Sequence, residues 1–533
     1  MDACDVVIVG AGAGGSAAAL ELSKSDLKIV CLEQGTFTSN SDLPGNSVDW
    51  EIRSQKKFNI NPNIRQANSD YPVNNGKSPI SIANFNAVGG STVLYSAHYP
   101  RFHPSDFQIQ TLDGVGEDWP IGYQDLEPYY EEDRKNTPVA GFPGDTAYPE
   151  IKNLLPPVPL GSLGRKIAEG FNALGWHWWP SYSGIATAEF QGHRTCINLG
   201  PCNTGCPIGS KSSDDLFYWP KALSNGVSLK TECRVSRIEI DRTGKVSGVE
   251  YFDSVGNSQF LSAKLVVVAA SGIGTPRLLL NSKSDRFPEG LGNDSGLVGR
   301  NLMLHPWGYV EGLFEENLQS HFGPQGCLIA SHEFHDTQED EPFKRGFTMQ
   351  FQRGPFPIES ATRQFLRKKL PFGQEHHKVF RQSFDHTAHL SIIVEDLPEL
   401  HNRVVLDESL KDANGIPAPK IEYTLSENSK KILSFGIEKG KELMKASGAL
   451  TTFGFGPVRE TGYHILGTTK MGNDPKNSVV NMWGQSHSIP NLFIVDSSVF
   501  VTSSSVNPTP TIHAIALRTA KYIRENFSTI VKI

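Results

Sequence analysis

The start of the chain carries the hydrophobic pattern of a βαβ unit. Residues 5–9, Asp-Val-Val-Ile-Val, contain four β-branched apolar residues in a row, which is typical of a parallel strand buried on both faces. A glycine-rich segment follows, and the Ala- and Leu-rich residues 16–23 predict a helix. Residues 28–32 then predict a second strand. This order indicates the first unit of a doubly wound α/β sheet.

Strand and helix patterns of the same kind return later in the chain. Residues 227–240 and 245–252 predict two strands, and the turn at 241–244 joins them as a hairpin. Residues 265–270 predict a buried strand, which runs through a turn of small residues into a helix at 277–282. These segments extend the same sheet.

The middle of the chain has a different pattern. Within residues 305–460, apolar and polar positions alternate at 346–352 and 389–394, which predicts an antiparallel sheet with covering helices. A strand at 492–495 and a helix at 511–526 then return to the first pattern. The sequence therefore predicts an α/β fold, α+β overall, whose first domain is discontinuous.

Composition narrows the class of protein. The 533 residues carry 50 Lys and Arg against 57 Asp and Glu, a formal net charge of −7, which argues against nucleic-acid binding. The longest apolar run, 265–270, is far shorter than the ~20 residues that span a bilayer. The first apolar segment ends at Gly10 and does not have the pattern of a signal peptide. Scattered cysteines favour a reducing compartment. We expect a cytoplasmic enzyme without a membrane span.

The glycines after the first strand fit the G-x-G-x-x-G pattern of dinucleotide binding. Gly10 makes the tight turn, Gly12 lets the backbone approach a pyrophosphate, and Gly15 lets the helix pack on the strand. Glu33 ends the second strand, where a carboxylate can accept both ribose hydroxyls of an adenosine. Its charge disfavours the 2′-phosphate of NADP. The unit alone is compatible with FAD and with NAD.

Segments along nearly the whole chain resemble the glucose–methanol–choline (GMC) family of FAD-dependent oxidoreductases. They are residues 6–15 with Glu33, 88–92, 119–130, 269–282, 298–302 with His305, 463–468, 491–496 and 507–511. Residues 101–107 look like the branch that contains gluconate dehydrogenase large subunits, glucoside 3-dehydrogenases and pyranose oxidases. That branch implies sugars and polyols as substrates.

The resemblance and the hydrophobic pattern together divide the chain into two interleaved domains. We expect a Rossmann-like FAD-binding domain at residues 1–100, 190–304 and 461–533. We expect an antiparallel-sheet substrate domain at residues 101–189 and 305–460.

The resemblance also implies the catalytic residues. In the family, a histidine in an H-x-x-G-T motif takes the hydroxyl proton while hydride leaves the carbon for flavin N5; here that position is His464. Asn507 occupies the position that orients the substrate oxygen, and an amide cannot titrate, so His464 remains as the base. His305 and His513 lie in family-like segments, and we expect them to be structural.

The resemblance also implies which residues would hold FAD. They are Gly10, Gly12, Ala13, Gly14, Glu33, Gln34, Gly89, Gly90, Ser91, Val235, Ser271, Asp496, Ser497, Asn507, Pro508 and Thr509. In some relatives a histidine in the loop after the Gly-Gly turn is bonded to the flavin, and the corresponding position here is Val93. We therefore expect FAD to be held non-covalently. Attachment through His98 would require a different register.

A loop carries three closely spaced cysteines, Cys196, Cys202 and Cys206. The spacing fits zinc poorly, because zinc takes four ligands and favours C-x2-C pairs. It is similar to the spacing that holds a [3Fe–4S] cluster in flavin-dependent glucose dehydrogenases of the family. The loop also resembles one that covers the flavin in relatives without a cluster. A structural loop, or an occasional disulfide within it, is the favoured hypothesis and the iron–sulfur site is the alternative.

The leading functional hypothesis is oxidation of a secondary hydroxyl of a sugar, glycoside or polyol to a ketone. The electron acceptor would be O2, a quinone or a redox partner. One alternative is flavin-dependent oxidation of a primary alcohol to an aldehyde. Another is a flavin-binding subunit without catalysis, against which the presence of both His464 and Asn507 argues. A homo-oligomer is also compatible with the sequence.

Overall fold

A computed structural model describes residues 3–326 and 328–532. Its strands are β1 (Ala3–Val9), β2 (Ile29–Leu32), β3 (Trp179–Pro180), β4 (Ser228–Lys230), β5 (Arg234–Ile240), β6 (Val246–Phe252), β7 (Ser258–Val268), β8 (Met303–Leu304), β9 (Trp307–Leu313), β10 (Ile329–Ser331), β11 (Phe347–Gln352), β12 (Thr387–Val394), β13 (Arg403–Lys411), β14 (Pro417–Glu422), β15 (Thr451–Phe455), β16 (Ile465–Leu466) and β17 (Leu492–Ile494). Its α-helices are α1 (Ala13–Leu22), α2 (Trp50–Arg53), α3 (Pro62–Arg65), α4 (Ile109–Asp113), α5 (Tyr123–Asn136), α6 (Gly161–Leu174), α7 (Asp214–Phe217), α8 (Trp219–Ser224), α9 (Ser271–Asn281), α10 (Pro357–Leu366), α11 (Glu375–Ser383), α12 (Glu427–Ala446) and α13 (Thr509–Lys532).

The first sheet forms around β1. Its strand order is β4-β2-β1-β7-β6-β5, and β17 pairs with β7. Strands β2, β1, β7 and β17 run parallel. Val6, Val7 and Ile8 have no exposed surface, as expected of a strand covered on both faces, and α1 and α13 pack against each other. The Rossmann-like fold predicted from the sequence is confirmed.

The second sheet is antiparallel, with the order β15-β9-β12-β11-β10-β3. Strand β12 is buried along its whole length, and α12 packs on β9 and β12. Both alternating segments predicted from the sequence lie in this sheet, as β11 and β12. The antiparallel sheet is therefore confirmed. The predicted domain boundaries stay a prediction, although the strands of each sheet come from the segments assigned to it.

One predicted strand, residues 227–240, is wrong as a single element. It is two strands at opposite edges of the sheet: β4 pairs with β2 in parallel, and β5 pairs with β6 antiparallel. Between them Glu232 adopts a left-handed conformation, with φ 55°, which turns the chain. The alternation of apolar and polar positions continues across this turn, so the sequence pattern does not indicate that the strand is broken there.

Helix α9 begins six residues before its predicted start at 277, at Ser271. Asp496 Oδ2 accepts a hydrogen bond from the Ser271 backbone N–H at 3.0 Å and one from Thr275 Oγ1 at 2.5 Å. The β13–β14 hairpin packs on this helix, and Arg277 donates to the Asp412 carboxylate at 2.7 Å.

In the described part of the chain, no helix is long and apolar enough to cross a membrane.

Candidate active site

A deep cavity lies between the two sheets. Val9 and Leu32, the last residues of β1 and β2, line it on one side, and Trp307 of β9 and Gln352 of β11 line it on the other. It holds about 2110 Å³ of empty space, including its opening to solvent. The carboxyl edge of an open parallel sheet is where ligands bind in such folds.

Glycines leave bare backbone on the cavity wall. A Cβ added to Gly10 would lie 2.5 Å from the Ala269 carbonyl oxygen, and one added to Gly90 would lie 2.9 Å from Gly12 Cα. Helix α1 begins here at Ala13, so its unpaired N–H groups are directed at the cavity. Backbone N–H groups at a helix N-terminus bind phosphate, so this wall fits the pyrophosphate of a dinucleotide.

The side chain of Glu33, the residue after β2, is hydrogen-bonded to the glycine turn. It is 6 % exposed, and its carboxylate accepts from the N–H groups of Ala11 and Gly35, each at 2.8 Å. Burial raises the pKa of Glu33, although the backbone N–H groups act in the opposite direction. A carboxylate has about four lone-pair sites, so it can still accept from a ribose hydroxyl while it accepts from the backbone.

Nearly all the site residues predicted from the sequence lie on the wall of this one cavity. They are Gly10, Gly12, Ala13, Gly14, Glu33, Gln34, Gly90, Ser91, Val235, Ser271, His464, Asp496, Ser497, Asn507, Pro508 and Thr509. Gly89 is set back from the wall, with φ 88° and its N–H donated to the Ala11 carbonyl at 2.9 Å. A Cβ on Gly89 would lie 2.8 Å from the Asp215 backbone nitrogen, so this glycine serves the turn.

His464 and Asn507 come from separate segments and meet at the cavity. Asn507 Nδ2 lies 3.3 Å from His464 Nε2. His464 directly precedes β16, and Asn507 lies two residues before α13. The two residues are 9 % and 8 % exposed, so the pair is buried while both members remain on the cavity wall.

His305 contacts His464 on its other side. The register of β8 and β16 pairs Leu304 with Ile465, which places His305 opposite His464. The two Nδ1 atoms are 2.7 Å apart, and His305 Nε2 lies 3.2 Å from the Ser503 carbonyl oxygen. A carbonyl only accepts, so His305 Nε2 carries the proton and its Nδ1 accepts. The proton of the pair therefore sits on His464 Nδ1, and His464 Nε2 is the free base.

Gln350 fixes the amide of Asn507. Gln350 Nε2 donates to Asn507 Oδ1 at 2.6 Å, so Asn507 Nδ2 is turned toward His464. Gln350 lies in β11 and is 1 % exposed. Sequence reasoning missed this residue, because its position in an alternating strand looks like any other. It also predicted only a structural role for His305, whereas His305 contacts His464 directly.

Burial keeps both imidazoles neutral. It lowers the pKa of His464 well below the ordinary value, and repulsion from His305 and His98 in their protonated forms acts in the same direction. Burial also lowers the pKa of His305 to about 4. Near pH 7 His464 Nε2 is therefore unprotonated and able to accept a proton.

His513 has the structural role expected from the sequence, as a buried cation. Its Nδ1 lies 3.0 Å from Asp133 of α5, and its Nε2 lies 3.3 Å from Asp214 of α7. Burial alone would lower the pKa of His513, but the carboxylates of Asp214 and Asp133 outweigh it and raise the pKa to about 10. The protonated ring joins α13 to both helices.

Three other buried histidines, His103, His332 and His335, form the one group of at least three candidate metal ligands among the described residues. The rings of His103 and His335 stack, with centroids 3.9 Å and planes 24° apart. An imidazole lone pair lies in the ring plane, so two nearly parallel rings cannot both point at one ion. His335 instead bonds Asp106 and Ser505, each at 2.8 Å. The group supports the loop that leads to Asn507.

The cysteine loop is tied to the cavity wall. Its thiols Cys196, Cys202 and Cys206 are free. Burial raises the pKa of Cys202 to about 12. Lys211 Nζ donates to the backbone carbonyls of Val93, Tyr95 and Cys202, each at 2.8 Å. Lys211 thereby fixes the backbone of the loop against the cavity wall, while the structural-loop hypothesis and its iron–sulfur alternative both stay untested.

Comparisons with known proteins agree on one family. Two family models described as GMC oxidoreductase match residues 4–307 and 398–516. 2-Methyl-1,2-propanediol dehydrogenase of Mycolicibacterium austroafricanum is 38 % identical over 99 % of this chain and 97 % of its own length. Fructose dehydrogenase large subunit of Gluconobacter japonicus is 29 % identical over 97 % of each chain. Paromamine 6'-oxidase of Streptomyces fradiae is 29 % identical over 97 % of this chain and 91 % of its own.

Solved structures share the fold. Pyridoxine 4-oxidase from Mesorbium loti superimposes with a TM-score of 0.68 at 18 % identity, over 98 % of this chain and 99 % of its own. A formate oxidase variant from Aspergillus oryzae RIB40 superimposes with a TM-score of 0.65 at 15 % identity, over 99 % of each chain. At such identities the likeness concerns the fold alone.

Proposed function

The chain belongs to the GMC oxidoreductase family, and from this premise we propose that it oxidises a hydroxyl-bearing carbon of a small polyhydroxylated alcohol with FAD. One observation carries the proposal: His464 Nε2, held as an unprotonated base, meets the Asn507 amide at 3.3 Å on the cavity wall. A base and a hydrogen-bond donor side by side are what removal of a hydroxyl proton requires.

FAD would lie along the wall formed by the first sheet. The glycine turn and the N-terminus of α1 fit the pyrophosphate, Glu33 fits the adenosine ribose, and Asn507–Thr509 place the start of a second helix on the same wall. When bound, FAD supplies the acceptor for the hydride. Thr92 and Leu94 line the cavity on either side of Val93, whose side chain has no group that could bond to a flavin. This supports non-covalent retention.

The substrate hydroxyl would bind between His464 and Asn507. Its O–H donates to His464 Nε2, and its oxygen accepts from the Asn507 Nδ2–H. As His464 takes the proton, Asn507 stabilises the negative charge that develops on the oxygen, and the carbon becomes able to release its hydrogen as hydride. His305 Nδ1 continues to accept from His464 Nδ1–H and so stabilises the imidazolium that forms.

Two classes of hydroxyl are candidates. The resemblance of residues 101–107 to sugar-oxidising relatives supports a secondary hydroxyl of a sugar, glycoside or polyol, with a ketone as the product. The relative at 38 % identity is named for 2-methyl-1,2-propanediol, in which only the primary hydroxyl is on a carbon that carries hydrogen. This supports oxidation of a primary hydroxyl to an aldehyde as the second candidate.

Anaerobic bleaching of the bound flavin tests the proposal. The purified holoenzyme is mixed with sugars, polyols, 1,2-propanediol, and simple primary and secondary alcohols, and products are identified by NMR as ketone or aldehyde. Reoxidation is then followed with O2 and with a soluble quinone. Bleaching by a polyhydroxylated compound supports the proposal. A holoenzyme that none of the panel reduces, or a His464→Ala variant that is reduced as fast as the wild type, would contradict it.

A further inference from the structure

The β13–β14 hairpin supplies part of the cavity wall. Its two strands form a sheet of their own, and the hairpin packs on α9, beside the first sheet. Residues 412–416 connect the two strands, and we name them the hairpin turn. Ile416 of this turn lines the cavity together with Arg277 of α9. The hairpin turn is therefore a piece of the wall that belongs to neither of the two large sheets.

The hairpin turn lies near the part of the cavity proposed for the adenosine. Arg234, the first residue of β5, donates from Nη1 to Asn414 Oδ1 at 3.1 Å and from Nε to Gln34 Oε1 at 3.2 Å. Gln34 directly follows Glu33, the residue proposed to accept from the ribose, and all three side chains line the cavity. One guanidinium thus joins the hairpin turn to the wall proposed for the adenosine.

A buried carboxylate, that of Asp412, ties the hairpin turn to two arginines. Its side chain has no exposed surface and is not part of the cavity wall. Asp412 Oδ2 accepts from Arg277 Nη2 at 2.7 Å and lies 3.2 Å from Arg234 Nη1. Asp412 Oδ1 accepts from the backbone N–H groups of Asn414 and Ile416, at 2.9 and 3.0 Å. The same carboxylate therefore shapes the turn and fixes it against both arginines.

Arg277 holds the hairpin turn from the side of α9. Its Nε donates to the Pro417 carbonyl at 2.7 Å, and its Nη2 also donates to the Ile416 carbonyl at 3.2 Å. The guanidinium lies 4.3 Å from the centre of the Tyr71 ring, and both side chains line the cavity. Removing one partner from a buried cluster of charges is strongly unfavourable. Without the Asp412 carboxylate, the turn should therefore move away from the arginines.

We propose that Asp412 is a positioning residue for the cofactor, which keeps the hairpin turn closed against the adenosine end of FAD and so slows FAD release. Asp412 acts through Arg234, Arg277 and Ile416, since these three residues line the cavity and Asp412 does not. The inference rests on the FAD site of the proposed function, but it needs no step of the oxidation.

FAD release from the holoenzyme tests the proposal. Wild type, Asp412→Ala and Asp412→Asn are diluted into buffer without FAD, and the fluorescence of the released flavin is followed over time. We expect Asp412→Ala to release FAD about ten- to a hundredfold faster than the wild type, since hydrogen bonds between charged groups are lost. Asp412→Asn keeps an acceptor for the N–H groups of the turn, so its release rate should be intermediate.

Arg403→Gln is the matched control in the same hairpin. It breaks the Arg403–Glu422 ion pair, which joins the first residue of β13 to the last residue of β14, where both side chains are 35 % exposed. This end of the hairpin is remote in sequence from the turn, so the control should release FAD at the wild-type rate.

Two further readouts separate cofactor positioning from a general loss of structure. Excess FAD should restore full loading of Asp412→Ala, which it would not do for a misfolded chain. The hydrogen bonds of His464 and Asn507 involve no residue of the hairpin turn. Molecules of either Asp412 variant that keep FAD should therefore be reduced by alcohol at the wild-type rate per bound flavin.

The inference fails if both Asp412 variants release FAD at the wild-type rate. It also fails if Arg403→Gln accelerates release as much as Asp412→Ala, because stability of the whole hairpin would then control the cofactor. Should Asp412→Ala not fold, Asp412→Asn, which has nearly the same shape as the wild type, provides the comparison. Faster release from the Asp412 variants of an enzyme that no alcohol reduces would contradict the proposed oxidation and support this inference.

Discussion

Replacing His305 by Phe removes the acceptor of His464 Nδ1–H and keeps a ring in the buried site. The 2.7 Å bond between the two Nδ1 atoms is lost, which leaves a buried donor unpaired at a cost of ~1–3 kcal/mol. His464 can relieve this cost by carrying its proton on Nε2, the nitrogen that serves as the base. Since that tautomer is inactive, we expect flavin reduction to slow by about 5- to 150-fold.

The pH dependence gives a second readout of the same change. An imidazole base works only when unprotonated, so the reduction rate falls as the pH falls through its pKa. Burial and the neighbouring His305 lower the pKa of His464, so the wild-type rate should hold at pH values well below the ordinary histidine pKa of ~6.5. His305→Phe removes the contribution of His305, so its rate should begin to fall at a higher pH than that of the wild type.

Anaerobic stopped-flow reduction measures both effects, on protein matched for flavin content and for circular dichroism. His305→Gln keeps a side-chain acceptor and should lose less than His305→Phe. The tautomer argument fails if His305→Phe is reduced at the wild-type rate with an unchanged pH profile. If His305→Phe is slower than His464→Ala, for which removal of a general base predicts a loss of about 10²- to 10⁴-fold, the role of base passes to His305.

Three other changes test the cofactor site, the orienting amide and the buried cation. Glu33→Ala should release FAD during gel filtration, because the ribose loses its charged acceptor, and full retention would show that Glu33 does not hold the ribose. Gln350→Leu frees the Asn507 amide to turn, so KM should rise and the reduction rate should fall less than in His464→Ala; steady-state and stopped-flow kinetics separate the two effects. His513 has a pKa raised to about 10, so its contribution to stability is full below its unfolded pKa of ~6.5 and is lost as the pH rises through about 10. In urea unfolding, the stability gap between wild type and His513→Gln should therefore shrink from pH 6 to pH 10, and a gap that grows would contradict the assignment.

The sheet architecture was predictable because its signals are local. Residues 6–9 of β1 are all apolar because the strand is buried on both faces there, and Gly10 is required where a side chain would meet the Ala269 carbonyl. The break at Glu232 was not predictable, because a left-handed residue leaves no mark in a hydrophobic pattern. The early start of α9 depends on the Asp496 carboxylate, which lies 225 residues away in the chain.

Only those residues of the candidate site that belong to a recognisable motif could be predicted from the sequence. The resemblance pointed to His464 as the base and to Asn507 as the orienting amide, but the hydrogen-bond partners of these two residues come from elements that carry no motif. His305 faces His464 because of the register of two strands of two residues each, β8 and β16. Gln350 comes from β11 and looks like an ordinary position in an alternating strand. Only packing brings His305 and Gln350 into contact with His464 and Asn507.

The hydrogen bonds through the site form one chain with one direction. The Ser503 carbonyl can only accept, so it orients His305, which then accepts from His464 and leaves Nε2 of His464 without a proton. An unprotonated nitrogen can only accept, so Asn507 must present Nδ2 to it, and Asn507 Oδ1 must accept from Gln350. Each bond is consistent with the next in a single arrangement of protons. A substrate hydroxyl that enters between His464 and Asn507 continues this direction, since it donates to the first and accepts from the second. Under the proposed function, the buried site therefore holds His464 Nε2 unprotonated before the substrate arrives, and substrate binding replaces the contact with Asn507 without moving a ring proton.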